Sequence, residues 1–249
     1  MTSALFRKFR ANIAVSNAGD IATSYANIST RLNKDFWNVE SDTAHRRQVG
    51  SYGRGTAIHG ISDLDMVFEL PLAMYEQYRK REGNGASQLL QAVRESLLKR
   101  YPRTDIKGDG QVVVVSFGSY VVEVLPAFWE EASDGYRFPD ANDGGSWSLC
   151  KPIKEMEAVE ARSARTNRNY KHVCKMLRAW KNANGVNMGG LLIDTIAYNF
   201  FSQDVSYDVA TYASYDALMV SVFSFMGGLE HQDYWAAPGS GQRVHSTGK

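Results

Sequence analysis

The sequence predicts an α/β (α+β) fold: a helical N-terminal stretch, a strand-rich middle and a helical C-terminal part. Three observations predict it. Apolar residues recur at helical spacing between 3 and 37; between 63 and 125, apolar and β-branched runs are separated by Gly, Pro and Asp-Gly turn signals; beyond 151 the helical spacing returns. A chain of 249 residues can bury a sizeable core, as one two-lobed unit or as two small domains. The boundary is expected near 150, giving lobes of residues 1–150 and 151–249.

In chain order, Leu5, Phe6, Phe9 and Ile13 share one helical face. After a polar break at 16–20, Ile21, Tyr25, Ile28 and Leu32 share another, with Asp20 as N-cap candidate. Residues 41–47 are a polar lead-in to a glycine-rich turn, Gly50-Ser51-Tyr52-Gly53-Arg54-Gly55-Thr56. Asp63 and Asp65 then open the apolar strand Met66-Val67-Phe68-Glu69-Leu70, which Pro71 stops. Residues 82–85 form a loop and 86–100 an amphipathic helix with Leu89, Leu90, Val93, Leu97 and Leu98 inward, ended by Tyr101-Pro102. Asp109-Gly110 turns into a strand over 111–117, and Gly118-Ser119 into a second that ends at Pro126. Residues 129–150 read as loop-rich, either an ordered linker or part of a cleft rim. Helices follow over 167–182, 189–201 and 215–227.

Composition narrows the function. With 28 Lys+Arg against 27 Asp+Glu the net charge is +1, so no global field argues for duplex nucleic acid as a partner. Cys150 and Cys174 cannot build a zinc ribbon, and the five histidines show no ligand spacing. Both thiols fit a reducing compartment. No apolar run is long enough to span a bilayer and the N-terminus has no secretory core, so a soluble, cytoplasmic protein is expected, with no membrane partner.

The chemistry concentrates at the turn and the strand after it. A hydroxyl on a glycine-rich turn can offer backbone N–H groups and its Oγ to a phosphate. Alternate residues of a strand share a face, so Asp63 and Asp65 point the same way. Two such carboxylates repel each other unless cations sit between them, and magnesium carried by a nucleoside triphosphate is the obvious candidate. Glu123, between Val122 and Val124, is an odd charge for a central strand. It is either a solvated edge residue or a paired, metal-facing one.

Gly50-Ser51, a short spacer and Asp63-Leu64-Asp65 running into a strand resemble the polymerase-β-like nucleotidyltransferase superfamily. The longer wording, Gly50 to Ile58 with Ser62-Asp63-Leu64-Asp65, resembles the bacterial cGAS/DncV-like nucleotidyltransferases that make cyclic oligonucleotide signals in antiphage defence. The resemblance extends through Asn84-Gly85-Ala86-Ser87-Gln88-Leu89-Leu90 and covers nearly the whole chain. It implies a two-lobed fold, a mixed-sheet catalytic lobe with a long N-terminal helix and a helical second lobe, in which Asp63, Asp65 and Glu123 hold two Mg²⁺ ions, with Mn²⁺ as an alternative. Related enzymes often have Asp at the third position; Glu is one methylene longer. Gly50, Ser51 and Tyr52 would fix the phosphates of nucleoside triphosphates, and the cyclic product would act on a downstream effector protein.

On the 167–182 helix Val173, Met176, Leu177 and Trp180 share one face, and Lys171, Lys175 and Arg178 the opposite one. A basic face is commonly just solvated. The resemblance offers another reading, in which this lobe closes over the nucleotide cleft and Arg178, or else Lys175, meets the triphosphate. Related enzymes often carry a serine where this chain has Gly189-Gly190, so that contact is expected to be missing. The stretch 234–242 resembles a loop that precedes one more helix in the family; a truncated copy or a dispensable helix is expected. Three rival functions remain: a non-cyclising transferase acting on an RNA end, protein or small molecule; an inactive binding module, disfavoured by the three intact carboxylates; and a nucleic-acid-activated sensor, which would need a basic groove.

Overall fold

The computed structural model describes residues 2–60, 63–230 and 232–245. Ile61 and Ser62 of the motif lie outside the described residues, as do 246–249. The chain divides into two compact units built from interleaved segments. A sheet unit comprises Asn17–Gly50 and Ile61–Lys151; a helical unit comprises Met1–Ser16, Ser51–Gly60 and Pro152–Lys249. The glycine-rich turn therefore changes unit between Gly50 and Ser51.

The sheet unit begins with α2 (Ala18–Leu32), after α1 (Thr2–Asn12) of the helical unit. Asn17, not Asp20, occupies the N-cap position of α2; Asp20 lies in the first turn, where its charge suits the helix dipole. Seven strands follow: β1 (Arg46–Gln48), β2 (Asp63–Glu69), β3 (Ile106–Asp109), β4 (Val112–Ser116), β5 (Val121–Glu130), β6 (Gly135–Asp140) and β7 (Ser146–Cys150). A short helical turn, α3 (Gly50–Gly53), separates β1 from β2, and α4 (Leu72–Tyr78) and α5 (Gly85–Arg100) separate β2 from β3. The strand order is β1-β2-β5-β4-β3, with β6 and β7 continuing from β5. The pair β2·β5 is parallel and the others antiparallel, so the sheet is mixed.

One sheet face is the core. It contributes Leu64, Met66, Phe68, Val113, Val115, Val122 and Val124, each 0–1 % exposed. Against it lie Ile21, Tyr25, Ile28 and Leu32 of α2 and Leu89, Leu90, Val93 and Leu97 of α5, also essentially sealed. Burying each such side chain contributes about 1.5–3 kcal/mol, which selects the register that turns these residues inward.

Two further sequence expectations need correction. Pro126 does not end its strand. It pairs with Phe68 and lies between Val124, the last residue joined to β4, and Phe128, the first joined to β6, so its missing N–H falls at a gap in the pairing. The loop-rich stretch 129–150 contains β6 and β7, whose turn is made by Gly144 and Gly145 at φ +87° and +97°. Its polar residues and glycines hid strands that pair only with each other and with the end of β5.

The helical unit packs α6 (Pro152–Arg165), α7 (Asn169–Ala183), α8 (Gly190–Gln203) and α9 (Tyr215–Gly227) with α1. Its core includes Tyr170, Val173, Leu177, Ile193, Phe201 and Leu218, against which Phe6, Phe9 and Ile13 pack. A hairpin of β8 (Tyr234–Ala236) and β9 (Arg243–His245) follows.

Candidate active site

The face of the sheet opposite the core carries the carboxylates. Along β2 the exposure alternates, with Leu64 and Met66 sealed while Asp63 is exposed and Asp65 half-buried. Parallel pairing sets Asp65 directly beside Glu123, and Asp63 beside Val121. Paired residues of neighbouring strands share a face, so three carboxylates from two strands project together. Burial lifts the Glu123 carboxyl above the usual range, and the negative charges of Asp65, Asp63 and Asp109 lift it further. Glu123 is thus not the solvated edge residue that its flanks left open.

The backbone under Asp65 is fixed. Its carbonyl accepts from the Tyr25 hydroxyl at 2.7 Å and from the Val49 N–H at 3.1 Å. Gly50 adopts φ +61°, and a Cβ there would run into the Asp65 carboxylate, so only glycine lets the turn lie against this strand. Ser51 begins a compact loop in the helical unit: its carbonyl accepts from the N–H of Thr56 at 2.9 Å and of Ala57 at 3.0 Å, and Gly55 N–H donates to Tyr52 at 3.0 Å. Ser51 and Tyr52 are half-buried.

What holds this loop is a buried ionic network that sequence reasoning missed. Asp194 of α8, 0 % exposed, accepts from Arg54 Nε at 2.9 Å, from Thr56 Oγ1 at 3.0 Å, and from both Nη atoms of Arg178 at 2.6 and 2.9 Å. Arg54 also lies 3.7 Å from Glu155, which accepts from Ser240 Oγ at 3.0 Å. Two cations thus face two carboxylates, the condition under which buried charges persist. A signal was present: Asp194 is the lone charge in the apolar run Gly190–Phe201.

Arg178 is therefore not on a basic face turned to solvent or to a triphosphate. It is 7 % exposed, and besides Asp194 it donates to the Gly190 carbonyl at 2.8 Å. A Cβ at Gly190 would come within 3.2 Å of its Nη2, which explains a small residue there. Lys171 ion-pairs with Glu160 at 2.5 Å and lies over Gly55, 3.3 Å from where a Cβ would stand. Lys175 is half-buried. Burial, then Arg10, Lys171 and Arg178, pull its ammonium below the usual lysine range. One turn earlier His172 is pulled down to about 3 by burial and by Arg10, Lys175 and Arg168. This patch has an excess of positive charge.

The donor set suits magnesium: oxygens only, on adjacent strands, two of them in register. Among the described residues no three His, Cys, Asp or Glu side chains converge into a ready-made cage. Magnesium does not need one, since it retains waters and is held by one or two carboxylates together with substrate phosphates.

A mixed sheet with acidic residues on neighbouring parallel strands, entered through a Gly-Ser turn, defines a polymerase-β-like nucleotidyltransferase. The particular family follows from the sequence match: residues 1–163 match the Second Messenger Oligonucleotide or Dinucleotide Synthetase domain, and the chain belongs to that family. No curated protein matches it. Among solved structures, the CdnE cyclic dinucleotide synthase of Elizabethkingia meningoseptica with GTP and Apcpp is similar at 16 % identity and TM-score 0.65, over 90 % of this chain and 83 % of that one. The STING-associated CdnE c-di-GMP synthase of Capnocytophaga granulosa matches at 15 % identity and TM-score 0.69, over 92 % and 74 %. The Vibrio cholerae di-nucleotide cyclase matches at 12 % and 0.64, over 80 % and 56 %. At these identities the likeness is one of fold.

Proposed function

We propose that this chain makes a cyclic di- or oligonucleotide from nucleoside triphosphates by Mg²⁺-dependent nucleotidyl transfer, as a cytoplasmic signal to an effector protein in antiphage defence. The observation that carries the reading is the register that sets Asp65 beside Glu123 with Asp63 on the same face. In each transfer an acceptor ribose hydroxyl oxygen forms a bond to the donor's α-phosphorus, the bond from that phosphorus to the β-phosphate bridge breaks, and pyrophosphate leaves with the electron pair. Asp63, Asp65 and Glu123 would hold the metal ions. When bound, these supply charge that acidifies the acceptor hydroxyl and stabilises the departing pyrophosphate.

The protein's own groups do the rest. The negative charge of Glu123, on the strand beside Asp65, helps the acceptor hydroxyl lose its proton. Gly50, Ser51 and Tyr52 hold the donor phosphates through backbone N–H groups and the serine hydroxyl. Lys175 adds positive charge for β- and γ-oxygens. Cyclisation repeats the transfer within the linear intermediate.

The test is mass spectrometry of the products that the purified chain forms from the four NTPs and Mg²⁺, with pyrophosphate measured in parallel. Cyclic products, lost in Asp63→Ala and Asp65→Ala variants that keep their fold, support the reading. Linear products or nucleotidylated acceptors would instead establish the non-cyclising alternative.

A further inference from the structure

We infer that Lys107, on edge strand β3, binds the 5′-phosphates of the acceptor nucleotide; this rests on the transferase reading above. The sheet register supplies the argument. Lys107 pairs with Val114, Val114 with Glu123, and Glu123 with Asp65, so four strands form one straight row. Its side chain shares the carboxylate face, because its neighbours in β3, Ile106 and Gly108, face the core. Ile106 is 3 % exposed, and a Cβ on Gly108 would lie 3.7 Å from Leu90 of α5. Lys107 is exposed on the opposite side.

Position in the row assigns the ligand. Gly50 packs on Asp65 at one end, which makes that end the donor-phosphate side. Glu123 lies one strand away and takes the acceptor hydroxyl. The acceptor's ribose must then continue across Val114, toward β3. Two strand spacings, about 10 Å, separate the backbones of Glu123 and Lys107, and a lysine reaches more than half of that. One ribose with its 5′-phosphate spans the remainder.

Charge gives the reason for a cation there. On this face β2 carries Asp63, Asp65 and Glu69, β5 carries Glu123 and β3 carries Asp109. The metal ions would offset Asp63, Asp65 and Glu123, but an acceptor that carries its own triphosphate toward β3 would still be repelled by Asp109. Among the described residues that β1 to β4 and the first half of β5 place on this face, the cations are Arg47 of β1, beyond Asp65 on the donor side, and Lys107 on the acceptor side. Its competing role is simply to keep an edge strand from pairing with another chain, which is a common use of lysine.

Separate donor and acceptor probes distinguish the two. A 2′,3′-dideoxynucleoside triphosphate can donate but not accept. An α,β-methylene triphosphate can accept but not donate, and a nucleoside can accept while carrying no phosphate. With all four bases tried, Lys107→Ala should raise KM for the methylene acceptor by about tenfold or more, the scale of one charge-assisted hydrogen bond. KM for the dideoxy donor and for the nucleoside acceptor should stay within about twofold, and Lys107→Arg should restore the methylene acceptor. Unchanged acceptor KM in an active enzyme, or an equal rise for nucleoside and triphosphate, overturns this inference alone. Absence of pyrophosphate release by wild type overturns the transferase reading and this inference together.

Discussion

Arg178 and Asp194 meet in a two-pronged ion pair, Nη1 to Oδ1 at 2.6 Å and Nη2 to Oδ2 at 2.9 Å, with both side chains buried. The same carboxylate receives Arg54 and Thr56 from the loop that begins at Ser51. One acidic residue on α8 therefore ties a basic residue of α7 to the glycine-rich loop. Arg178 and Arg54 hold the Asp194 carboxyl below the usual range against the opposing effect of burial.

Removing Arg178 should be a stability defect first. Arg178→Ala leaves Asp194 with only one of its two cations, and breaking a buried pair costs about 3–5 kcal/mol. Chemical denaturation should show the loss in full with no nucleotide present. A variant of wild-type stability with weakened triphosphate binding would mean that the guanidinium serves the substrate after all.

Lys175→Glu should behave oppositely. It relieves a like-charge cluster with Arg10, Lys171 and Arg178, so stability should stay within about 1 kcal/mol. Triphosphate binding should weaken far more than monophosphate binding, since only the former carries β- and γ-charges. Raising the salt should narrow the gap. Equal affinities in mutant and wild type, titrated with both ligands, would remove Lys175 from the site.

Gly50→Ala tests the contact with Asp65. A non-glycine residue at φ +61° costs about 1–2 kcal/mol, and the added methyl must also displace the Asp65 carboxylate. Turnover should fall by at least about tenfold, with a modest drop in Tm. Full activity would show that the Asp65 side chain has room to move without penalty.

Glu123→Gln separates chemistry from folding. Turnover should fall by about a hundredfold or more, the usual scale for a group that handles the proton. Stability should move the other way at neutral pH. The folded state raises the carboxyl's pKa above its ordinary value of 4.5, so it binds a proton that the unfolded chain has released. The stability this confers is full below the ordinary value and is lost as pH rises through the raised one. Wild type should therefore lose stability relative to Glu123→Gln across that window. Parallel pH–denaturation curves would contradict the raised pKa.

Much of this was legible in the sequence because it rests on local period. The two-residue repeat put Asp63 and Asp65 on one face, and the strand flanking Glu123 marked it as an acid with an unusual neighbourhood. Helical spacing likewise gave the apolar faces of α2, α5 and α7. Arg178 misled because helical period reports which residues share a face, not whether a partner on another helix covers it. Arg54 stood inside the quoted motif, but its partner is 140 residues away, a distance that no local pattern spans. The assignment of residues 1–16 and 51–60 to the same compact unit as 152–249 is hidden for the same reason.

That interleaving sets an order of events during synthesis. Every segment of the sheet unit has been made once Lys151 has been added, whereas Arg54 and Thr56 must wait for Asp194, and Glu155 for Ser240. At ordinary elongation rates the interval is on the order of ten seconds. Throughout it, α1 offers Phe6, Phe9 and Ile13 to any passing surface, since the core that will cover them has not emerged. A ribosome-bound chain that stalls in that window carries its acidic strands finished and its serine loop unanchored.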